Sequence, residues 1–470
     1  MGISVAVLGA GPGGYVAAFE AAKHGAEKVY LIERDHVGGT CLNRGCVPTK
    51  TMLRSAHCAH EIAHAQDVGI EGDLQSRLNL DHLRARKIEV VEKLRAQIMA
   101  GARKYKVDFI SGQGRMTGEH EITVALSQPA EDGVTERVIK ADIIIIATGS
   151  LPFKLPMINH ELENVWTSDE ALELDRIPQE IVICGGGVIG AEFACAYQAF
   201  GSHVSVVELS PTLLPGNDKR ITRSLAQAFK AKGIDVYTEI SVVHVEEAAN
   251  NRVNVHLSNG AVLEADVLLS AVGRMPNTQG FGFEEVGIEF DRRALKVDAT
   301  FETNIPGVYA VGDAIGGMML AHTSEAEARA AVANAFARAQ NEEPKHTVNY
   351  DHIPACVFTF PEVAMVGITP EKAKEQGRDA FSVVAKYAGN AKALAENDSE
   401  GFVQLVCDKE SGALLGCQML GAHSVELIHE VSNAMALGLS VDQLAEPVYS
   451  HPTVSEVVMT AAEMAKEKRA

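Results

Sequence analysis

Apolar residues along this chain fall into short runs separated by glycine-rich turns. Ser4–Leu8 reads as a strand, Gly9-Ala10-Gly11-Pro12-Gly13-Gly14 as a turn, residues 15–24 as a helix, and residues 28–32 as a second strand ending at Glu33. The order recurs: Glu180–Cys184 is strand-like, Gly185-Gly186-Gly187-Val188-Ile189-Gly190 is a turn, residues 191–200 are helical, and residues 203–207 form a strand that ends at Glu208. Two such units make an internal repeat at domain scale.

Between and after them, residues 141–147, 266–272 and 307–311 read as buried strands, ending in Thr148-Gly149-Ser150, Gly273-Arg274-Met275-Pro276 and Gly312-Asp313. Residues 83–104 predict a long, charge-rich amphipathic helix suited to packing. Beyond about residue 349 the texture changes to short runs at 355–359, 402–406 and Leu414–Leu420 and helical stretches near 424–437 and 454–467. The fold class is therefore α/β: two Rossmann-like dinucleotide-binding domains and a C-terminal α+β domain. The predicted division assigns 1–150 with 280–348 to a first, discontinuous nucleotide domain, 151–279 to a second, and 349–470 to the C-terminal domain.

The length of 470 residues suits this division at roughly 150 residues per domain. With 46% apolar residues, 22% charged residues and 41 glycines, the chain reads as globular rather than disordered or collagen-like. Its formal net charge of −20 repels phosphate backbones and anionic lipid, which argues against nucleic acid and membranes as partners. The longest apolar stretches are far below the roughly 20 residues of a membrane span. The N-terminal region lacks the pattern of a secretory signal, and Ala6 occupies the Ser/Thr position of a myristoylation signal. A cytosolic location is expected.

Each glycine turn has a physical reading. Gly9 permits the tight turn, Gly11 lets backbone approach a pyrophosphate, and Gly14 lets helix and strand pack closely; the helix N-terminus favours the anion. Glu33 stands where a carboxylate accepts bonds from a ribose diol. In the second turn Gly185, Gly187 and Gly190 take the same parts. Glu208 would bond a 2′-hydroxyl and repel a 2′-phosphate, so NAD is expected over NADP. Two dinucleotide sites imply two cofactors that exchange electrons, and FAD with NAD is the pair expected.

Of the eight cysteines, Cys58, Cys184, Cys195, Cys356, Cys407 and Cys417 sit among apolar neighbours and read mostly as small buried hydrophobes. Cys41 and Cys46 differ, lying in Gly38-Gly39-Thr40-Cys41-Leu42-Asn43-Arg44-Gly45-Cys46-Val47-Pro48-Thr49-Lys50. Glycines on both sides allow the chain to bend until the sulfurs meet, and a redox-active pair is the reading. A zinc site wants four ligands and lacks a second cysteine pair nearby. The helical cluster His57, Cys58, His60 and His64 reads as a packed or solvated face, so no metal site is expected.

These motifs, with Ala147-Thr148-Gly149, Gly273 to Asn277, Tyr309 to Ala314, Met319-Leu320-Ala321-His322, Thr359 to Gly367 and His451-Pro452-Thr453-Val454-Ser455-Glu456, make the chain resemble the pyridine nucleotide–disulfide oxidoreductases over essentially its whole length. Leu42 favours their lipoamide branch over their glutathione branch. The resemblance implies an enzyme that oxidises protein-bound dihydrolipoamide and reduces NAD⁺. It makes Cys46 the sulfur beside the flavin and Cys41 the outer, exchanging sulfur. It also makes His451 the base, oriented by Glu456, and sets Lys50 and Glu192 as an ion pair beside the flavin. For FAD it implies Gly9, Gly11, Gly14, Glu33, Lys50, Gly114, Thr148, Gly149, Gly312, Asp313 and Ala321; for NAD, Gly185, Gly187, Gly190, Glu208 and Gly273.

It further implies a homodimer that delivers the base to the partner subunit's sulfurs. The partner would be a lipoylated carrier of a 2-oxo acid dehydrogenase complex or glycine cleavage system, expected on a separate chain. Thr49, Tyr449 and Phe360, and the Thr-Ser-Glu-Ala segment after His322, depart from the branch's common pattern; many members carry a second histidine at position 449. Alternatives are a reductase of glutathione or another small disulfide, against which Glu208 speaks, and a mercuric reductase, which typically carries a C-terminal cysteine pair absent after Ser450. A flavin-bound redox sensor without turnover would not need the His451–Glu456 pair.

Overall fold

The computed structural model describes residues 2–72, 77–130 and 133–469. The chain forms two compact units, Met1–Thr51 with Arg84–Phe153 and Arg274–Val348, and Met52–Leu83 with Lys154–Gly273 and Asn349–Ala470.

The first unit is built on β1 (Ser4–Leu8), α1 (Pro12–Lys23) and β2 (Lys28–Glu33). Its seven-stranded sheet runs Val308–Ala310, Ile143–Ile146, β1, β2, Asp108–Gly118, Glu121–Leu126 and Glu136–Lys140. The first five strands are mutually parallel, and the last two follow as an antiparallel meander, each opposed to its neighbour. Every residue of Ile143–Ile146 is buried, as expected of a central parallel strand covered on both faces. Val5, Val7, Val16, Ala17 and Leu31 fill the layer beneath α1, which packs on the Ala321–Ala339 helix. Ala6, Leu8, Ile32, Ile144 and Ile146 point into the other layer, so both faces of the sheet are used.

The helix begins earlier than the sequence pattern predicts, at Pro12 rather than residue 15. Proline suits a first helical position because the amide hydrogen it lacks would have no partner there. Gly13 and Gly14 therefore lie inside the first turn. A Cβ on Gly14 would stand 1.8 Å from the carbonyl oxygen of Gly9, which no side chain can satisfy. After β2 the chain enters α2 (Gly39–Arg44) and α3 (Cys46–Ala63), separated only by Gly45.

In the second unit a five-stranded parallel sheet has the order Asp235–Thr238, His203–Glu208, Glu180–Cys184, Val267–Ser270 and Val165–Trp166. Its glycine turn leads into the Val188–Ala199 helix, again starting inside the motif rather than after it. A five-stranded antiparallel sheet, Ala355–Val357, Val363–Gly367, Leu414–Leu420, Phe402–Asp408 and Ala380–Lys386, makes the C-terminal part. The two sheets share a core: Val357, Val363, Phe402 and Leu420 cluster with Ile183, Leu225 and Phe229. A polar chain reinforces the junction. Arg220 Nε donates to Gln404 Oε1 at 2.9 Å, and Gln404 Nε2 donates to Asp218 Oδ2 at 3.2 Å. No helix among the described residues is long and apolar enough to cross a membrane.

Candidate active site

In the first unit the glycine turn is closed by a second glycine pair. Gly38, at φ +94°, donates its N–H to Ala10 O at 2.7 Å, and Gly39, at φ +56°, comes so near that a Cβ on it would lie 2.6 Å from Gly11 Cα. Only glycine permits this backbone-to-backbone approach. Glu33 is fixed by accepting from the Ala10 N–H at 2.8 Å and the Asp35 N–H at 2.9 Å, with lone pairs left for a diol. Thr148 Oγ1 is buried and lacks a hydrogen-bond partner. Beside it, Asn277 holds the backbone of Thr148 and Gly149 by bonds of 3.1 and 2.9 Å. A glycine turn at a helix N-terminus, an oriented carboxylate and an orphaned hydroxyl are what a bound dinucleotide requires, so these residues fit FAD.

Asp313 and Gly312 open the short helix Gly312–Ile315, and Ala321 opens the Ala321–Ala339 helix. Gly114 lies in Asp108–Gly118, where a Cβ would meet Leu8 Cδ1 at 2.5 Å; close packing of the sheet is the visible demand for glycine there.

The second unit repeats the device with one difference. Gly186 N–H and Ser210 N–H fix Glu208 at 2.6 and 2.7 Å, and a Cβ on Gly190 would meet Gly185 O at 1.9 Å. Around Gly187, however, a Cβ would meet nothing within 4 Å. Val188 and Leu209, which flank this open turn, are exposed apolar side chains, and Ser270 Oγ is a buried hydroxyl without a partner. The residues fit a second dinucleotide held at a more open surface. Gly273, at φ +108°, ends the segment that follows Val267–Ser270.

Cys41 and Cys46 face each other across the break between α2 and α3. They are thiols hydrogen-bonded to one another, the reduced form of the expected pair. The Cys41 thiol is raised well above the ordinary cysteine range, first by its hydrogen bond to Cys46, then by burial and by the Cys46 charge, with the Lys50 cation opposing. Cys46 opens α3, where the helix dipole favours negative sulfur, and Lys50 follows one turn later on the same helix. Of the two, Cys46 is the more exposed in this chain. The other cysteines contrast with this pair. Cys184, Cys195, Cys407 and Cys417 are buried, and burial pushes the first three up to about 12. Cys58 and Cys356 are half-buried, so the buried-hydrophobe expectation describes four of the six.

His451 Nδ1 lies 2.9 Å from Glu456 Oε1, while the imidazole is 71% exposed. Glu456 is the first residue of the Glu456–Arg469 helix. The Thr453 N–H, at 2.9 Å, and His451 together hold its carboxyl below the usual glutamate range. The carboxylate fixes one ring nitrogen and leaves Nε2 for a reactant. Glu192, 4% exposed, accepts from the Phe358 N–H at 3.0 Å. Lys50 and Glu192 belong to different compact units, as do the cysteines and His451.

Several participants carry no local sequence signal. Asn43 pins α2 by donating to Val37 O and Gly39 O at 3.0 and 2.8 Å and accepting from Arg95 Nε at 2.6 Å. Arg274 donates to Ser150 Oγ at 2.7 Å, and that hydroxyl donates to Asp313 Oδ2 at 2.5 Å. Three of the departures from the common pattern have structural partners, whereas in the segment after His322 the Thr323 hydroxyl is buried without a hydrogen-bond partner. Thr49 Oγ1 bonds Gly45 O at 2.7 Å, Phe360 stacks on His60, and Tyr449 bonds Glu430. His60 is pushed down to about 4, chiefly by burial and next by Lys232, whose Nζ lies 3.2 Å from Nε2. Among the described residues no group of three or more His, Cys, Asp or Glu is arranged to hold a metal ion.

Two glycine-turn dinucleotide folds with one adjacent cysteine pair define a flavin- and nicotinamide-dependent dithiol–disulfide oxidoreductase. The chain belongs to the pyridine nucleotide-disulphide oxidoreductase family, which it matches over residues 3–328, and residues 353–462 match that family's dimerisation domain. It is 37% identical over 469 residues to the dihydrolipoyl dehydrogenase of Rhizobium etli, covering 97% of this chain and 96% of that protein. To the dihydrolipoyl dehydrogenase of Bacillus subtilis it is 36% identical over 463 residues, covering 98% and 95%. Among solved structures it resembles LpdA from Mycobacterium tuberculosis, with a TM-score of 0.89, 28% identity and 98% and 99% coverage. It also resembles the HOCl-induced flavoprotein disulfide reductase RclA from Escherichia coli, with a TM-score of 0.85, 29% identity and 98% and 99% coverage.

Proposed function

We propose that this protein oxidises protein-bound dihydrolipoamide to lipoamide with NAD⁺ as acceptor. The observation that carries the reading is the Cys41–Cys46 contact at the head of α3, beside a glycine turn built for a dinucleotide. FAD would be held by Gly9, Gly11, Gly14, Glu33, Gly114, Thr148, Gly149, Gly312, Asp313, Ala321 and Lys50, and NAD by Gly185, Gly187, Gly190, Glu208 and Gly273. Bound flavin supplies electron relay between a dithiol and a nicotinamide.

In its oxidised form the pair is a disulfide. His451, delivered across the homodimer, takes the proton of one substrate thiol, and the resulting thiolate attacks Cys41 sulfur and displaces Cys46 as thiolate. The second substrate thiol then displaces Cys41, its proton passing to the departing Cys41 sulfur as the lipoamide ring closes; two substrate S–H bonds become one S–S bond, one proton ending on Cys41 and the other on His451, and the protein's disulfide becomes the Cys41 thiol and the Cys46 thiolate. Glu456 holds His451 in the accepting tautomer. Lys50, one turn after Cys46 on α3, places positive charge near the Cys46 sulfur and the flavin. The functional modules are 1–150 with 280–348, 151–279 and 349–470.

We assign a homodimer, supported by the match to the dimerisation domain. The substrate would be carried by a lipoylated protein of a 2-oxo acid dehydrogenase complex or glycine cleavage system, in the cytoplasm. The test is a steady-state assay of dihydrolipoamide with NAD⁺ or NADP⁺, alongside NAD(P)H oxidation with glutathione disulfide. Turnover confined to dihydrolipoamide and NAD⁺ is expected; turnover only of glutathione disulfide overturns the substrate. The likeness to RclA favours one second reading, in which the same sulfurs reduce another disulfide at the expense of NADH. NADH-dependent reduction of small disulfides without dihydrolipoamide oxidation would select it.

A further inference from the structure

The loop that presents His451 spans residues 445–455, between the helices Val441–Leu444 and Glu456–Arg469. Its C-terminal arm is tied down: Thr453 N–H bonds Glu456, Thr453 O accepts from Asn390 Nδ2 at 3.0 Å, and Thr453 Oγ1 bonds Ser450 O at 2.9 Å. Its N-terminal arm is different. Glu446, Pro447 and Val448 are exposed, Val448 at 98%, and Tyr449 OH donates to Glu430 Oε2 at 3.0 Å. Glu430 is held on the Ser424–Ala436 helix, which buries Leu427, Ile428, Val431 and Met435 in the C-terminal core.

We propose that Tyr449 is a positioning residue for His451: by donating its hydroxyl to Glu430 it fixes the loop's N-terminal arm and so sets where the imidazole Nε2 meets an incoming dithiol. The proposal rests on the reading of His451 as the base. The imidazole is exposed, as are Glu446, Pro447 and Val448 ahead of it, and misplacing a base by about 1 Å costs rate out of proportion to stability. The residue type matters as well. Burial and the Glu430 carboxylate push the phenol above the ordinary tyrosine range, so it remains a donor throughout the pH interval in which a histidine titrates. The anchor therefore does not come and go with the protonation of His451, as an imidazole at this position would.

The experiment compares Tyr449→Phe, Glu430→Ala, Glu430→Gln and the Tyr449→Phe/Glu430→Ala double variant in the FAD-loaded full chain. Tyr449→Phe and Glu430→Ala are expected to lower kcat for dihydrolipoamide oxidation about ten- to a hundredfold, the worth of one charge-assisted hydrogen bond. KM for NAD⁺ should not move, nor should NADH oxidation by ferricyanide, which needs no dithiol base. Glu430→Gln keeps an accepting oxygen and should retain most activity, and the double variant should be no slower than either single one. Unchanged kcat in Tyr449→Phe, equal losses in both reactions, or losses that multiply in the double variant would each overturn the proposal.

Failure of the unmodified protein to oxidise dihydrolipoamide would sink the proposed substrate instead. The anchor is then read from hydrogen exchange at residues 446–452 and from the rate at which diethyl pyrocarbonate modifies His451, followed by mass spectrometry. Faster exchange with an altered modification rate in Tyr449→Phe supports the anchor; wild-type behaviour in both overturns it.

Discussion

The two glycine turns are nearly superimposable in logic and opposite in enclosure. In each, a carboxylate ending the second strand accepts from the backbone of the turn: Glu33 from Ala10, Glu208 from Gly186. In each, a third glycine lies within 2 Å of forbidden contact with the first: Gly14 at 1.8 Å and Gly190 at 1.9 Å. The parallel extends to the far end of the sheets. Asp142, ahead of Ile143–Ile146, accepts from Ser4 N–H at 2.8 Å, and Asp266, ahead of Val267–Ser270, accepts from Glu180 N–H at 2.9 Å. The same strand starts are tied in the same way. What differs is the neighbour of the second glycine: Gly39 presses on Gly11, while the space around Gly187 is open. One local contact therefore separates the more enclosed turn from the more open one.

Four substitutions test that contrast. The largest effect is expected where the turns are alike: Gly14→Ala and Gly190→Ala each force a Cβ onto a backbone oxygen, and each should destabilise by about 3 kcal/mol or more in urea unfolding of the purified protein. A mild outcome in either would mean that the helix can slide off its strand. Next comes the contrast itself. Gly39→Ala, at φ +56° with Gly11 Cα in the way, should sharply lower the FAD retained after gel filtration. Gly187→Ala should keep FAD content and stability within about 0.5 kcal/mol, and weaken only NADH binding. Equal FAD loss in both would erase the distinction.

Glu208→Gln should then narrow the preference for NADH over NADPH by about tenfold in a fluorescence titration, since it removes a charge that repels a 2′-phosphate. An unchanged ratio would place discrimination elsewhere. The smallest effect concerns pH. In the second unit His203 bridges Glu180 and Asp235 at 2.7 and 3.2 Å, and its pKa is raised, first by the Glu180 hydrogen bond. A raised pKa means the tie is complete below the ordinary histidine value of about 6.5 and is lost as pH climbs through the raised one. Because the ring is half exposed, His203→Gln should cost well under 1 kcal/mol at pH 6 and nothing at high pH. Asp142, in the first unit, has the opposite sign: its carboxyl is lowered by bonds from Ser4, so its contribution holds above the ordinary aspartate value of 3.8 and fades as pH falls through the depressed one. A stability difference for His203→Gln that grew with pH would reverse the assignment.

The glycine turns, their terminal acids and the cysteine pair were legible in the sequence because each is a local demand, while His451 and Glu456 were legible only through the family resemblance. A glycine is required where neighbouring backbone leaves no room, and two cysteines flanked by glycines can be brought together by a local bend. The helices start earlier than predicted because the pattern of apolar residues does not register the glycines and prolines that fill a first turn. Long-range partners left no trace: Asp142 and Asp266 tie strands far from them in the chain, Arg274 reaches Ser150 and through it Asp313, and Glu430 meets Tyr449. Nor did composition reveal the core shared between the second parallel sheet and the C-terminal sheet, since Phe402 and Leu420 read equally well as packing within their own sheet.

In the first unit, Ser150–Pro152 pairs antiparallel with Arg274–Pro276, Pro152 standing opposite Arg274. The chain thus departs and returns through adjacent strands, so the stretch in between begins and ends at almost the same point. Such a ribbon is a hairpin whose turn has been replaced by a hundred-odd residues, and closing it again needs only a short connector. A whole nucleotide-binding module is in this way threaded into its counterpart as a detour, without altering the order of a single strand in the host sheet.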